Sequence, residues 1–357
     1  TEDAGLNRFN PNTREFKSYK LSTSNIGHDN IQAICLDDDK LWVAVSSQGI
    51  ILMDTKTERK KHYGKDKVPP LIYSLLKDRN GNIWAGNHNG AYIYDKELDV
   101  FKKVKEVWNF YFNYIKEDYL GNIWFAAISN GVVCYNPSTK NVIRYINDPN
   151  DDTTIATKVT GLFEDSMNRL WFVTEGWGFC YFDRHSKKFK RYTIKDGLPK
   201  SVIHYITEDR NGMLLLGTNK GLVQFNPDNE EIKVFKQQDG LLCEQFNFKS
   251  ARTAKDGTIY MGSLEGMISF NPDTFKKRGE SSFSPVLTGF QIFNDEVPIS
   301  ESSPLKKSIS LTDKIVLSHK QNSLSFDFAT LNYNLPQNHS FYYRLEGLEN
   351  EWHTLKE

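Results

Sequence analysis

The chain has 357 residues, beyond the roughly 250–300 at which one hydrophobic core stops growing, so it holds either more than one domain or one large closed β domain. Its 39% hydrophobic and 25% charged residues, with 7 Trp, 17 Tyr and 23 Phe, exclude global disorder. Forty-five basic residues balance forty-five acidic ones, which excludes a net field drawing the molecule to nucleic acid or an acidic membrane; a polyanion would need a local patch.

At the N-terminus, Thr1-Glu2-Asp3-Ala4-Gly5 has neither the basic nor the apolar region of a secretory signal, so either export is absent or the chain begins downstream of one. No apolar run approaches the roughly 20 residues that span a bilayer. Residues 5–19 read as a pair of strands, and a repeat then takes over. Asp78-Arg79-Asn80-Gly81-Asn82-Ile83-Trp84-Ala85-Gly86 is echoed by Asp118-Tyr119-Leu120-Gly121-Asn122-Ile123-Trp124-Phe125 and by Asp209-Arg210-Asn211-Gly212-Met213-Leu214-Leu215-Leu216-Gly217, with weaker copies starting at Asp165 and Asp256. A second glycine follows in each unit, at Gly49, Gly90, Gly131, Gly178, Gly221 and Gly266, with an orphan at Gly5. The mean interval is about 43.5 residues, inside the range of about 40–45 for a four-stranded propeller blade.

Each unit reads as four short strands. In the unit at 71–104, residues 71–78 form the inner strand, Asn80-Gly81 supplies the positive φ of a tight turn, 83–87 returns, 90–95 is the third strand and 100–104 the outer one. The third strand closes on Asn10, Asp54, Asp95, Asn136, Asp183, Asn226 or Asn271, short polar side chains that bond their own backbone and start a turn. Alternation by two is everywhere and helical periodicity is nearly absent. The expected fold is therefore all-β: a β-propeller over 1–278 with six complete units between about residues 30 and 275 and the outer pair of a seventh at 5–19, cut from a parent with seven blades. After a linker at 279–285, strand-like stretches at 286–293, 314–318, 323–328 and 340–345 predict the start of an Ig-like β-sandwich over 286–357, incomplete within this chain.

The Asp-x-x-Gly-Asn-Ile-Trp cores resemble the two-component regulator propeller repeat, and Phe341-Tyr342-Tyr343-Arg344-Leu345-Glu346-Gly347-Leu348-Glu349-Asn350-Glu351-Trp352 resembles the opening of the triple-tyrosine domain that follows such propellers. In this order they resemble the extracytoplasmic sensor region of Bacteroidetes hybrid two-component histidine kinases. The resemblance implies a second seven-bladed propeller upstream and a membrane helix, kinase, receiver domains and DNA-binding domain downstream. It also implies a periplasmic sensor on the face of an inner-membrane protein, responding to breakdown products of complex polysaccharides and switching on glycan-utilisation genes.

The residues themselves point to binding rather than catalysis. Eight scattered histidines show no HExxH and no pair at ligand spacing, so no metal is indicated, and no cofactor is implied. There is no GxSxG, and the repeated Asp residues are accounted for by turns; carboxylates on different blades could still pair in space. Cys134 and Cys180, at nearly the same third-strand position in neighbouring units, read as buried thiols, a disulfide being open only if the strands come within about 7 Å. Basic clusters at 56–67 and 184–200 read as solvated rim charge, with a sulfated-glycan patch as the alternative.

Trp42, Trp84, Trp124 and Trp171 share one repeat position, which predicts packing between blades, whereas Trp108 and Trp177 break the pattern. The connections entering each inner strand and those joining second and third strands are expected on one face around the central channel, where loops carry binding residues. That face would receive Gln48 with Ser47, Asn87, His88 and Asn89, Trp108 to Phe110, Ser129 and Asn130, Glu175 and Trp177, Ser201 and His204, and Asn219 with Lys220. Trp177 beside Glu175, in the unit lengthened at 147–158, is the favoured point for a neutral sugar: rings stack on C–H faces while amides and a carboxylate meet hydroxyls.

The expected partners are an oligosaccharide ligand, the second propeller of the parent chain and a homodimer mate, with no nucleic acid through this region and membrane contact only through the missing C-terminal part. The competing readings are a propeller-type polysaccharide lyase or glycosidase and a protein-interaction scaffold.

Overall fold

In the computed structural model, which describes residues 5–21, 30–46, 48–64, 66–129, 131–199, 202–272, 285–329, 341–347, 349 and 351–355, each repeat becomes its own antiparallel sheet. The chain divides into two compact units, residues 1–272 and 273–357.

In the first unit, blades 1 to 5 (31–63, 72–103, 112–145, 159–192 and 203–235) each have four strands in simple up-and-down order. Blade 2, for example, runs Ile72–Lys77, Ile83–Asn87, Gly90–Asp95 and Val100–Lys103. In blade 6 (246–270) three strands lie among the described residues, and the outer strand expected after Asn271 falls in residues 273–284, outside them. The linker expected at 279–285 lies there too, up to Ser284. The hairpin Leu6–Asn10 with Glu15–Tyr19 forms a two-stranded seventh sheet. Leu6, Tyr19 and Leu21 pack on Val43, Val45, Ile51 and Met53 of blade 1, and the Phe9 ring meets Tyr260 of blade 6 at 6.1 Å, so the hairpin stands between the first and last blades.

Second strands such as Ile83–Asn87, Ile123–Ala127 and Leu170–Thr174 are buried along their whole length. The middle of a blade has a neighbouring blade on both faces, so its residues are apolar continuously instead of alternately. Trp42, Trp84, Trp124 and Trp171 are each 2% exposed, in the inter-blade position that their spacing predicts.

What ties each tryptophan down is the turn before it. The Asp118 carboxylate accepts from the backbone N–H of Leu120 (3.0 Å) and Asn122 (2.8 Å) through one oxygen, and from the Trp124 indole Nε1 (2.8 Å) through the other. Asp78 does the same with Asn80, Asn82 and Trp84, and Asp165 with Met167, Arg169 and Trp171. These carboxylates are almost completely buried, which is tolerable only because each is surrounded by donors. The turn needs a left-handed residue, supplied by Gly81 (φ 77°) and Gly121 (φ 84°); in the weaker blade 4 copy Asn168 takes the place at φ 61°. The second glycine has a different cause: a Cβ on Gly131 or Gly178 would lie 2.0 or 1.9 Å from the carbonyl of Tyr145 or Tyr192 on the outer strand.

The second unit pairs Val286–Ile292 with Asp295–Glu296 and with Leu324–Ala329, and separately Phe341–Tyr343 with His353–Leu355. Phe290, Val297, Leu305 and Ile309 form its small core. The strand expected at 314–318 does not form: Ile315 and Leu317 alternate onto that core as expected, but the backbone joins no ladder.

Burial pushes the Asp118 pKa up, but the bonds from Trp124, Arg184 and Asn122 outweigh it and hold the group below its ordinary value. A folded pKa below the unfolded one stabilises fully above about pH 4, and this is lost as pH falls through the folded value. Asp118→Ala strands the indole N–H and a guanidinium N–H, and is expected to cost about 3 kcal/mol in urea unfolding at pH 7. Asp118→Asn should lose stability less steeply than the parent between pH 4 and pH 2.

Candidate ligand-binding face

One hydrogen bond per blade, between the turn joining second and third strands and the segment entering the inner strand, brings these connections to a common face. The pairs are Ser46 N–H to the Asn30 carbonyl (3.0 Å), Asn87 Nδ2 to Pro70 (3.2 Å), Ile128 N–H to Tyr111 (3.4 Å) and Glu175 N–H to Lys158 (3.0 Å). Val202 N–H to Asn219 Oδ1 (3.0 Å) and Leu264 N–H to Gln245 (3.2 Å) complete the set.

On this face Trp177 stands between Gly176 (φ 83°) and Gly178 (φ 76°), is 55% exposed, and has no ring contact among the described residues. Glu175, two residues earlier, lies 3.8 Å from Lys158 Nζ. The lengthened entry loop is held by Arg191, whose guanidinium donates to the Thr154 carbonyl at 2.8 and 3.0 Å, and by Ile155 and Ala156, which are buried. Trp177 is therefore presented by a fixed turn beside a pinned loop. Trp108, 46% exposed, is grouped with Phe110 (6.1 Å) under the Arg144 guanidinium, 4.5 Å from the Phe110 ring. His88 and Asn89 are exposed at the tip of their turn, Ser129 is exposed and Gln48 is half-buried.

Asn87 is different: it is buried, its Nδ2 donates to Pro70 and its Oδ1 accepts from the Asn89 N–H at 2.7 Å, so it holds the turn rather than facing solvent. Ser47, Asn130 and Ser201 lie outside the described residues.

His204 sits deeper, edge-on to Phe248 at 4.0 Å. Burial lowers its pKa and Glu175 opposes that, placing the two within electrostatic reach. Its neighbourhood contains what sequence reasoning missed. Inner strands of blades 1 to 5 carry a one-residue bulge near their start, as between Phe112 and Tyr114. In blade 6 the inner strand advances from Phe246 to Ala251 while its partner moves only from Ser263 to Met261. The looped-out segment puts Lys249 at φ 53° and drives its ammonium across the channel, where it donates to the carbonyls of Tyr73 (3.0 Å) in blade 2 and Asn113 in blade 3. Beneath lies a cavity of about 10 Å³ lined by Tyr114, Thr160, His204, Tyr205 and Lys249, space for about one water. Three buried polar atoms lack a partner among the described residues on these inner strands: Ser74 Oγ, Asn113 Oδ1 and His204 Nδ1. Side chains thus occupy the channel at this level.

Several members of the basic clusters pair with acids: Lys61 and Lys67 with Asp99 and Lys190 with Glu230 between blades, and Arg184 with Asp118 of the neighbouring blade and Glu164 of its own. All four cysteines are free thiols, with Cys134 and Cys180 pushed by burial up to about 12 and about 11.

Residues 69–89, the segment entering blade 2 with its inner strand, Asp78 turn and Trp84 strand, match the family model of the two component regulator propeller. That one segment is therefore similar to a single repeat of this type. Across 99% of its length the chain is similar to Histidine kinase P4 of Formosa agariphila, at 27% identity over 411 aligned positions, and it spans 27% of that protein. Among solved structures it shares its fold with two extracellular domains from B. thetaiotaomicron. One is BT3049, described as a hybrid two component system (TM-score 0.59, 22% identity, covering 92% of this chain and 50% of that one). The other is BT4673, described as a one component system (TM-score 0.61, 22% identity, covering 99% and 49%). The chain therefore spans about half the length of these solved relatives. The propeller fold extends to virginiamycin B lyase of Staphylococcus aureus (TM-score 0.50, 16% identity, covering 68% and 84%). Among the described residues, no helix is long and apolar enough to cross a membrane.

Burial brings the Lys249 pKa down to about 8, against about 10.4 in an unfolded chain. Between those values the unfolded state holds more protons, so stability should climb as pH rises from 8 to 10.4. Lys249→Met is expected to raise the thermal midpoint at pH 7 and to flatten that climb.

Proposed function

We propose that this chain is the ligand-sensing part of an extracytoplasmic receptor region in a hybrid two-component system, and that its propeller face takes up an oligosaccharide released by glycan breakdown. The observation that carries this reading is the pair of exposed indoles, Trp177 and Trp108, on a face whose scaffold buries every repeat tryptophan. An indole left in water on a rigid turn offers area for stacking at little entropic cost. Glu175, Lys158, His88 and Asn89 supply donors and acceptors for hydroxyls, and the balanced charge of the chain suits a neutral glycan.

The signal would be a change of arrangement, with the propeller shifting against the second propeller of the parent chain or a dimer mate and the C-terminal β unit carrying the change towards the membrane. A ligand drives such a shift only by favouring one arrangement. The resemblance of the C-terminal unit to a triple-tyrosine domain, and the control of polysaccharide-utilisation genes, belong to this proposal.

Calorimetric titration of a panel of neutral oligosaccharides into the intact sensor region should give saturable binding to at least one, weakened tenfold or more by Trp177→Ala. Equal affinity in the variant would remove Trp177 from the site. Turnover of any panel polysaccharide by the purified region, lost on replacing a carboxylate of this face, would replace sensing by catalysis.

A further inference from the structure

The opposite edge of the propeller carries a feature that the face does not explain. Where the outer strand of one blade meets the next, a Lys-x-Tyr stretch recurs against an acidic residue at the left-handed position of the neighbour's turn. Lys17 meets Glu58 (φ 61°) at 2.5 Å. Lys61 meets Asp99 (φ 57°) at 2.7 Å while Tyr63 donates to the same carboxylate at 2.8 Å. Lys190 meets Glu230 (φ 63°) at 2.5 Å, and Tyr192 donates to it at 3.1 Å. Between blades 2 and 3 the sign is inverted, with Lys140 at the turn position and Glu106 supplying the acid at 3.7 Å.

Among the seams whose outer strand and facing turn are both described, the one between blades 3 and 4 lacks both the lysine and a facing acid. The equivalent stretch is Ile143-Arg144-Tyr145, so the lysine is replaced by isoleucine, and the left-handed turn position holds Lys187 (φ 56°) instead of an acid. Among the described residues Lys187 forms no ion pair, and the Tyr145 hydroxyl has none of the carboxylate contacts that Tyr63 and Tyr192 make. At this seam a cavity of about 230 Å³ opens, walled by Leu120, Ile143, Tyr145 and Phe182, with Arg184 and Lys187 at its polar side. Arg184 gives one arm to Asp118 (2.8 Å) and the other to Glu164 (2.7 Å), so both nearby carboxylates are engaged, while its buried Nε–H has no acceptor.

An apolar, ring-sized cavity with one unpaired ammonium, one buried N–H and one phenol therefore stands where the seams at Glu58, Asp99 and Glu230 hold a carboxylate. We propose that the seam between blades 3 and 4 binds a small organic carboxylate, its carboxylate taking the place of the clasp acid beside Lys187 and Tyr145 and its ring lying against Ile143 and Phe182. The site is separate from the loop face and does not depend on what that face binds. An occupant would complete this open clasp and so stiffen the seam.

The test uses the intact chain at pH 7 with benzoate and indole-3-acetate as probes, each beside its neutral amide, read by calorimetry and by the fluorescence of the buried Trp124. Saturable binding of an acid, at least tenfold tighter than its amide, is expected. Lys187→Glu should weaken it tenfold or more. The double variant Ile143→Lys, Lys187→Glu, which rebuilds the clasp, should abolish binding and raise the thermal midpoint. Should Lys187→Glu not fold, Lys187→Gln carries the same comparison. Failure of both acids to saturate, equal affinity for acid and amide, or binding unchanged in the Lys187 variants would overturn the proposal.

Discussion

A buried carboxylate that accepts two backbone N–H groups and an indole N–H is the constraint on which the propeller depends. Asp78, Asp118 and Asp165 each close a hairpin and fix a tryptophan in one stroke. An isolated buried charge would be costly, and a buried indole without an acceptor would be too. Joined, they satisfy each other, and the ring is left in one orientation against the next blade. Local turn chemistry is in this way converted into the spacing between sheets.

The blades differ mainly in what lies at the seams. Lysine, tyrosine and an acid meet at the edge of several of them, and exposed pairs of this kind contribute little stability singly. Their value is positional, since they set which outer strand faces which turn. The seam between blades 3 and 4 departs from that chemistry and is also where packing leaves space. On the other face, the departure is in the turn at 175–178, where two left-handed glycines lift Trp177 out of the packing that absorbs the repeat tryptophans. Departures from the repeat are thus where a rigid scaffold offers chemistry.

A sensing role, as proposed, would draw on the stiffness of a propeller, which lets a small ligand act on the body as a whole. Lys249 adds to that stiffness by tying blade 6 to blades 2 and 3 through the channel, at the expense of desolvating an ammonium. With side chains occupying the channel at this level, the face and the seams are places where another molecule can bias the arrangement.

The repeat was legible in the sequence because its causes are local. A left-handed turn residue, a carboxylate reaching its own backbone and a tryptophan six residues on are all read within a dozen positions, and they sufficed for blade boundaries, strand order and the burial of four tryptophans. Trp177 and Trp108 were visible as exceptions to a period. Asn87 was misjudged as a face residue because its turn position is right while its burial depends on Pro70, 17 residues away. The stretch at 314–318 alternates like a strand, yet pairing requires a free edge that no local pattern encodes. Lys249 lies 176 residues from Tyr73 and 136 from Asn113, and Lys187 acquires meaning only beside Tyr145 of another blade. What the sequence determined alone was therefore the repeating blade, whose forces act between near neighbours. Which charged groups face one another across the channel and at the seams was decided only when the ring closed and brought distant blades within reach.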